Sequence, residues 1–261
     1  MVRFHKMHGL GNDFVIFDGR ETSVEINPDR ARFLGDRRTG IGCDQIILIE
    51  PSEAADVSMR IWNSDGSEVE ACGNASRCVT ALIGGGSIET KGGLISGSVA
   101  NDIATMDMGE PLFGWDELPL AYPMDTAAMP VGWAELQRPF AVRIGNPHVV
   151  FFIEDVDQVD LAQLGPQIET DPLFPEKINV NIASLGAEHI RVRTWERGAG
   201  LTLACGTGSC AVAVAAISRG LAKGPVEVVP PGGALTIDWS PGRSISMTGP
   251  CTPVFTGEID W

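Results

Sequence analysis

The sequence predicts an α+β fold of two pseudo-symmetric domains, each a β-barrel-like sheet wrapped round a central helix. Three observations predict it. First, the chain repeats itself. Shifted by 133 positions, Arg60 falls on Arg193, Trp62 on Trp195, Ala71 on Ala204, Cys72 on Cys205, Gly73 on Gly206, Ser76 on Ser209 and Val79 on Val212. Average composition would give roughly one or two such identities over that stretch. One residue out of step, Gly11-Asn12 falls on Gly145-Asn146, Val15 on Val149 and Phe17 on Phe151. A domain-sized period means two similar domains rather than a solenoid. Second, the apolar patterning is mostly that of strands, with few helical stretches. Third, the run Ala211–Ala216 is small and apolar all round, and a helix without a polar face is a buried one.

Taken in order, Asp13–Phe17 is a β-rich run closed by Asp18-Gly19. Asn27-Pro28 opens a helix, an N-cap followed by proline at the first helical position, which should run to about Arg38. Gln45–Ile49 is apolar on both faces and short, as a buried strand is. Residues 57–62 alternate, and Asp65-Gly66 signals a hairpin into 68–71. A helix follows over 74–83, stopped by three glycines, then strands at 87–91, 94–99 and 102–108. Proline, glycine and tryptophan crowd 109–139, the inter-domain passage. The second half repeats the order: strands at 140–144 and 148–153, a helix near 158–166, a strand at 189–196, a turn at 198–200, a helix from Ser209 to Arg219 closed by Gly220, and strands at 226–229, 234–239 and 244–248. The domains are therefore expected at 1–115, carrying Cys72, and 116–252, carrying Cys205, with residues 253–261 free to return to the first.

A chain of 261 residues can bury two medium cores. Its net charge of −15 argues against nucleic acid and anionic membrane as partners. An acidic small substrate stays open, because local groups outweigh the distant field. No apolar run approaches the ~18 residues of a membrane span, and the start, Met1–Lys6, lacks the apolar core of a secretion signal. The six cysteines are too sparse for a disulfide scaffold, and their spacings are not those of zinc sites. A cytoplasmic protein with reduced thiols and no metal is the expectation.

Two cysteines stand out by position. Cys72 and Cys205 each end a strand-like run and precede glycine and a helix. A thiol at a helix N-terminus meets unpaired N–H groups and the positive end of the dipole, and both favour thiolate. Gly73 and Gly206 leave those N–H groups open to a carboxylate. Two such ends facing across a cleft would hold one anionic group and set a sulfur on each face of the carbon bearing it. Proton abstraction from one face and delivery to the other inverts a stereocentre, with the two titrations coupled. A lone cysteine of this kind is usually a buried structural residue; the duplicated position reverses that reading. Cys43, Cys78, Cys210 and Cys251 keep the structural one. Gly206-Thr207-Gly208-Ser209 lacks the lysine and spacing of a nucleotide loop.

The stretches His8–Phe14, Gly40–Gln45, Asn63–Asn74, Gly145–His148, Glu196–Gly200 and Ala204–Gly208 together resemble the diaminopimelate epimerase family. The resemblance implies a homodimeric, cofactor-independent epimerase that interconverts LL- and meso-2,6-diaminopimelate in lysine and peptidoglycan-precursor synthesis. It implies that Cys72 and Cys205 are the two acid/base thiols. It also implies that Gly73, Asn74, Gly206 and Thr207 hold the reacting carboxylate, and that Asn12, Gln45, Asn63, Asn146, Asn179, Glu196 and Arg197 line the substrate site. His148 and Glu196 match positions that tune the thiols. Independently, Arg197 offers a fork suited to a distal carboxylate, and buried amides reject analogues that leave them unpaired. Ala75, Asn181, Trp195 and Leu201 depart from the family's usual pattern.

Two rivals share part of this logic. A proline-racemase-type enzyme uses the same two thiols, but its first cysteine is typically followed by Gly-His where this chain has Gly73-Asn74. Phenazine-biosynthesis-like isomerases share the fold without the cysteine pair. A two-domain protein that grips an amino acid without turning it over is the alternative from another class.

Overall fold

The computed structural model describes residues 1–70 and 72–261; Ala71, expected to end the run before Cys72, lies outside the described residues. The chain forms two compact units, Met1–Met106 with Thr248–Trp261, and Asp107–Met247. These passages fall before the expected 115/116 and 252/253. Leu112 forms a two-bond bridge with Arg143, which ties residues around it to the second unit. Thr105 and Thr248 share a hydroxyl–hydroxyl bond of 2.9 Å, and Cys251 N donates to Asp102 O at 3.1 Å, which ties the returning segment to the first.

The first unit runs β1 (Val2–Gly9), β2 (Asn12–Asp18), α1 (Pro28–Gly35), β3 (Gln45–Glu50), β4 (Val57–Asn63), β5 (Glu68–Val69), α2 (Gly73–Ile83), β6 (Gly86–Thr90), β7 (Gly93–Ala100) and β8 (Ile103–Asp107). The second opens with a small hairpin, β9 (Gly132–Trp133) and β10 (Leu136–Gln137). It continues through β11 (Phe140–Ile144), β12 (Asn146–Phe152), α3 (Leu161–Glu169), β13 (Asn179–Leu185), β14 (Ile190–Glu196), β15 (Gly200–Thr202), α4 (Gly206–Ser218), β16 (Val226–Val229) and β17 (Leu235–Asp238), and the chain returns to the first unit within β18 (Ser246–Pro250). The last strand, β19 (Thr252–Ile259), pairs antiparallel with β1 from Val2↔Ile259 to His8↔Thr252.

The duplication is written in the strand pairing. In the first unit β1–β2 is antiparallel, β2–β3 parallel, β3–β4 and β4–β5 antiparallel, β4–β6 parallel and β6–β7 antiparallel. In the second, β11–β12, β12–β13, β13–β14, β14–β15, β14–β16 and β16–β17 repeat those senses in that order. Registers repeat too. Phe14 pairs with Gln45 as His148 pairs with Asn179, and Ile46 pairs with Trp62 as Val180 pairs with Trp195. Parallel neighbours need a crossover, and each of the four parallel pairs encloses a helix.

In each unit the sheet is barrel-like and wraps the helix that follows the cysteine. Helix α2 touches β1, β2, β6 and β7, and α4 touches β11, β12, β13, β14, β16 and β17. Strands β2 and β3 are apolar on both faces for this reason. Phe14, Ile16, Ile47 and Ile49 join the core with Ala75, Cys78 and Val79 of α2, while Val15, Phe17, Ile46 and Leu48 join Ala31 and Leu34 of α1. Helix α4 is buried continuously from Ser209 to Ala216, as its all-apolar surface requires.

Several local expectations are corrected. Strands β1, β13 and β19 were not legible in the apolar pattern. β1 carries Lys6, whose buried ammonium is held by the Asp13 carboxylate at 2.6 Å and by Gly42 O. β13 is buried over Asn179–Ser184 although it includes three polar residues. β19 contains proline and glycine and is exposed along most of its length. Helix α1 stops at Gly35 rather than near Arg38, since the Asp36 carboxylate accepts from Arg38 N and Thr39 N, both at 2.7 Å, and turns the chain. Helix α3 starts later than the expected 158, after a 3-10 turn at Val156–Gln158, with Asp160 capping Gln163 N at 3.2 Å. Among the described residues no helix is long and apolar enough to cross a membrane.

Candidate active site

Each cysteine is the N-cap residue of its unit's central helix, in extended backbone conformation: Cys72 at φ −148, ψ 111 and Cys205 at φ −118, ψ 112. Helix α4 begins at Gly206, three residues before the start expected from composition, so glycine and threonine form its first turn. The N-cap carbonyls accept Ser76 N and Ser209 N, both at 2.9 Å.

In the first unit the predicted residues gather at one end of the sheet, because β2 and β3 begin there and the antiparallel β4 ends there. Asn12 starts β2, Gln45 starts β3 and Asn63 ends β4, with Gln45 and Asn63 paired in register. The tight turn into β2 puts Leu10 at φ 57 and Gly11 at φ 86. Asn12 Oδ1 accepts from Asn74 Nδ2 at 3.2 Å and from the Cys72 thiol at 3.7 Å. Gln45 Nε2 donates to Asn63 Oδ1 at 3.0 Å, and Asn63 Nδ2 to Ser67 Oγ at 3.1 Å. Gln45 Oε1 is buried and has no hydrogen-bond partner among the described residues. A buried amide oxygen left open is costly unless a ligand donor completes it.

In the second unit the equivalent strand ends hold Asn146, Asn179 and Glu196. Cys205 Sγ accepts Gly208 N at 3.4 Å and lies 3.5 Å from Thr207 Oγ1. These donors act on the sulfur in the direction expected of a helix end, yet the resting thiol is not acidified. Burial pushes the Cys205 pKa well up, and the charge of Glu196 pushes it further. The Glu196 carboxyl is itself raised by desolvation, opposed by the Thr202 hydroxyl and then by the Cys205 thiol.

His148, expected to tune the thiols, bonds to two asparagines. It is fully buried, and its nitrogens are taken by Asn146 Oδ1 at 2.8 Å and Asn181 Nδ2 at 3.2 Å. With Asn181 donating, Nδ1 is the acceptor, so Nε2 carries the proton and donates to Asn146. Burial, aided by Arg197, lowers its pKa to about 3. His148 is a neutral ring that orients the Asn146 amide. Asn179 is likewise turned toward backbone: Nδ2 donates to Pro147 O at 2.8 Å, and Oδ1 accepts Arg197 N at 2.9 Å. Arg197 is exposed, with Nη1 on Glu176 O at 3.1 Å.

Several residues that hold these groups had no role in the sequence reading. Asn181 also donates to Val149 O at 3.0 Å and accepts from Thr194 Oγ1 at 2.9 Å. Gly208 passes this pair so closely that a Cβ there would lie 2.5 Å from Asn181 Oδ1. The buried Glu169 carboxylate accepts from Trp195 Nε1 at 2.7 Å and Gly198 N at 3.0 Å, fixing the loop that carries Arg197. Trp195 and Asn181, departures from the usual pattern, are therefore structural partners in this chain. Leu201 is exposed and Ala75 fully buried. In the first unit, Asp13, Arg37 and Asp44 form an ion cluster behind Asn12. Arg37 and Lys6 hold the Asp13 carboxyl well below its usual range against the opposing effect of burial. Cys43 is pushed up to about 12 by burial, and Cys78 and Cys251 are raised by the same cause, which keeps these thiols inert.

A mixed sheet wound on a buried helix, with cysteine at the helix N-cap, is built twice in this chain, and solved structures of several families share the fold. The chain resembles a solved phenazine biosynthesis protein of the PhzF family from Bacillus anthracis, with a TM-score of 0.70 at 15% identity, covering 100% of this chain and 99% of that one. A probable proline racemase from Agrobacterium radiobacter gives a TM-score of 0.70 at 16% identity, covering 100% and 93%. At such identities the likeness concerns fold alone.

Sequence places the chain more narrowly. The family profile described as diaminopimelate epimerase matches residues 4–113 and 140–254. A diaminopimelate epimerase from Rhizorhabdus wittichii is 62% identical over 262 residues, covering 99% of this chain and 96% of the relative. One from Sphingopyxis alaskensis is 60% identical, covering 99% and 97%. The chain belongs to the diaminopimelate epimerase family.

Proposed function

We propose that this chain is an isomerase that interconverts LL-2,6-diaminopimelate and meso-2,6-diaminopimelate without a cofactor, with Cys72 and Cys205 as its two acid/base thiols. The observation that carries this reading is the cysteine at the same N-cap position of both units in a chain of this family. One sulfur, as thiolate, takes the α-hydrogen as a proton: the C–H bond breaks, an S–H bond forms, and the electron pair stays on carbon. The other sulfur, as thiol, gives its proton to the opposite face. The two have then exchanged protonation states, the centre is inverted, and nothing is oxidised or reduced. The first-turn N–H groups of Gly73, Asn74, Gly206 and Thr207 receive the reacting carboxylate, whose negative charge grows as the carbanion forms. Arg197 pairs with the distal carboxylate. Asn12, Gln45, Asn63, Asn146, Asn179 and Glu196 complete the polar lining.

Binding is where the Cys205 thiol must change. Burial and then Glu196 raise that thiol, and a substrate ammonium near Glu196 would offset the second by supplying the opposite charge. The enzyme is read as a cytoplasmic homodimer of lysine and peptidoglycan-precursor synthesis; size-exclusion chromatography with light scattering tests the dimer. The test of the reaction is hydrogen exchange in heavy water with LL-diaminopimelate and no pyridoxal phosphate. Loss of the α-hydrogen supports the reading. Exchange on proline alone points to the proline-racemase type, and binding without exchange to an amino-acid-binding protein.

A further inference from the structure

The two cysteines are equivalent by position but not by surroundings, and the difference lies in one chain of side chains present in the first unit. Arg77 is fully buried on α2, and its Nη2 donates to Asn74 Oδ1 at 2.9 Å. That bond turns Asn74 Nδ2 toward Asn12 Oδ1, 3.2 Å away. Asn12 Nδ2 in turn donates to Asp44 Oδ2 at 3.0 Å, an oxygen that also takes Asp13 N at 3.1 Å. Arg37 Nη2 holds the other Asp44 oxygen at 2.8 Å. A guanidinium can only donate and a carboxylate can only accept. The two amides between them therefore have one orientation that satisfies every bond. In it, the oxygen of Asn12, not its nitrogen, faces the Cys72 sulfur at 3.7 Å.

Gly9 makes room for this arrangement, since a Cβ there would lie 3.0 Å from Arg77 Nη2 and 3.2 Å from Asn74 O. The second unit lacks it. The duplication matches Asp44 to Ile178, Asn74 to Thr207 and Arg77 to Cys210, and the Asn146 oxygen is taken by His148. The Cys205 sulfur accepts Gly208 N instead. Each half therefore presents its sulfur with a different kind of partner.

We propose that Arg77 and Asp44 are positioning residues that lock the Asn12 amide with its oxygen toward Cys72, so that Asn12 accepts a hydrogen bond from the thiol and opposes its ionisation. Hydrogen bonding to a neutral form disfavours the charged one. This deepens the reading under Proposed function, on which it rests for Cys72 as an acid/base group. Among the described residues, the charged and titratable side chains gathered about this end of the first unit include Arg77 and Cys78 on α2, Lys6 and His8 on β1, Asp13 on β2, Arg37, Cys43 and Asp44 between α1 and β3, and Cys251 between β18 and β19. All of them stay in the test protein except the one replaced.

The test follows the pH dependence of Cys72 alkylation by iodoacetamide, read peptide by peptide by mass spectrometry without substrate. It therefore reports on Asn12 whether or not the exchange assay succeeds. In Asp44→Ala the Asn12 nitrogen loses its acceptor, only the Asn74 bond is left to hold the amide, and the amide can turn its nitrogen to the sulfur. The Cys72 midpoint should move down by about one pH unit, roughly a tenfold gain in thiolate at a given pH. Asp44→Asn keeps an acceptor oxygen and should hold the midpoint near wild type. A Cys72 profile in Asp44→Ala that superimposes on wild type, or moves up, overturns the proposal. Should Asp44→Ala fail to fold, the wild-type protein with labelled asparagine decides. Nuclear Overhauser contacts from the Asn12 amide protons to the Asp13 N–H support the lock, and contacts to the Cys72 β-protons refute it.

Discussion

At the scale of single residues, burial decides which groups titrate. His148 could have been a charged tuner of the thiols; complete burial, with Arg197 nearby, lowers its pKa from 6.5 to about 3. The sign of the consequence follows from linkage. Above about pH 6.5 neither folded nor unfolded chain protonates this ring. Between 6.5 and about 3 the unfolded chain takes a proton that the folded one refuses, so stability falls on acidification by about 1.4 kcal/mol per pH unit from this group alone. Urea midpoints measured from pH 7 to pH 4 should show that fall, and His148→Gln should flatten it. An unchanged slope in the variant would mean the ring is protonated in the fold. The thiols give a second prediction at this scale. Cys72→Ala and Cys205→Ala should each lose about 10²–10⁴-fold in kcat, the usual worth of a positioned acid or base. Thermal midpoints should change little, and full activity in either variant would remove the two-thiol scheme.

At the scale of elements, the placement of each helix start matters more than its propensity. Helix α4 approaches β13 and β14 at Gly208, where an added Cβ would sit 2.5 Å from Asn181 Oδ1 and 3.1 Å from Thr194 Oγ1. Gly208→Ala should destabilise the protein by about 1–3 kcal/mol, the usual range for overpacking, and lower kcat by displacing the N–H that meets Cys205 Sγ. Denaturant melts and turnover together check this; a variant as stable and as active as wild type would show that the helix start has slack. Asn179 is the matching case on β13. Its amide bonds Pro147 O and Arg197 N from a site 2% exposed. Asn179→Ala should cost about 1–3 kcal/mol, because two backbone groups lose their partner. A raised KM with kcat preserved would mark its effect as passing through Arg197.

The same scale explains what was readable in the sequence. Buried apolar runs such as Gln45–Ile49 and Ala211–Ala216 declared themselves, since nothing but a core accommodates them. β13 did not, because its asparagines are buried only by virtue of partners on β12 and β14 that no periodicity reveals. The thiols, strand-end amides and Glu196-Arg197 were legible from the repeat and the family motifs. Their supports were not: Asp44 lay within a quoted motif without a role. Arg77 carried one signal that could have been used, a single charge in an otherwise small and apolar helix. A buried arginine needs several acceptors; Asn74 is close in sequence, but Pro250 O is reached only through the fold.

For the whole molecule, the organising fact is that one architecture occurs twice and is completed unequally. The six strand pairings repeat in sense and order, but only the first unit takes in a strand from the chain's end. β19 pairs with β1 over nearly the whole of both strands. Removing residues 252–261 would leave β1 with an unpaired edge, and such edges invite aggregation. The truncated chain should melt at least several degrees lower and aggregate on heating, as light scattering during a thermal ramp would record. A truncated chain with wild-type melting would make β19 an ornament of the fold rather than part of it.

The central claim is that two separate sulfurs handle the two faces of one carbon, and solvent isotope labelling in the first turnovers tests it most directly. With LL-diaminopimelate in heavy water, the account predicts that meso product carries solvent deuterium at the inverted centre from the first turnover. Recovered substrate should at that point be still unlabelled. Product that keeps the substrate's own hydrogen would mean a single base serving both faces, and would contradict the account.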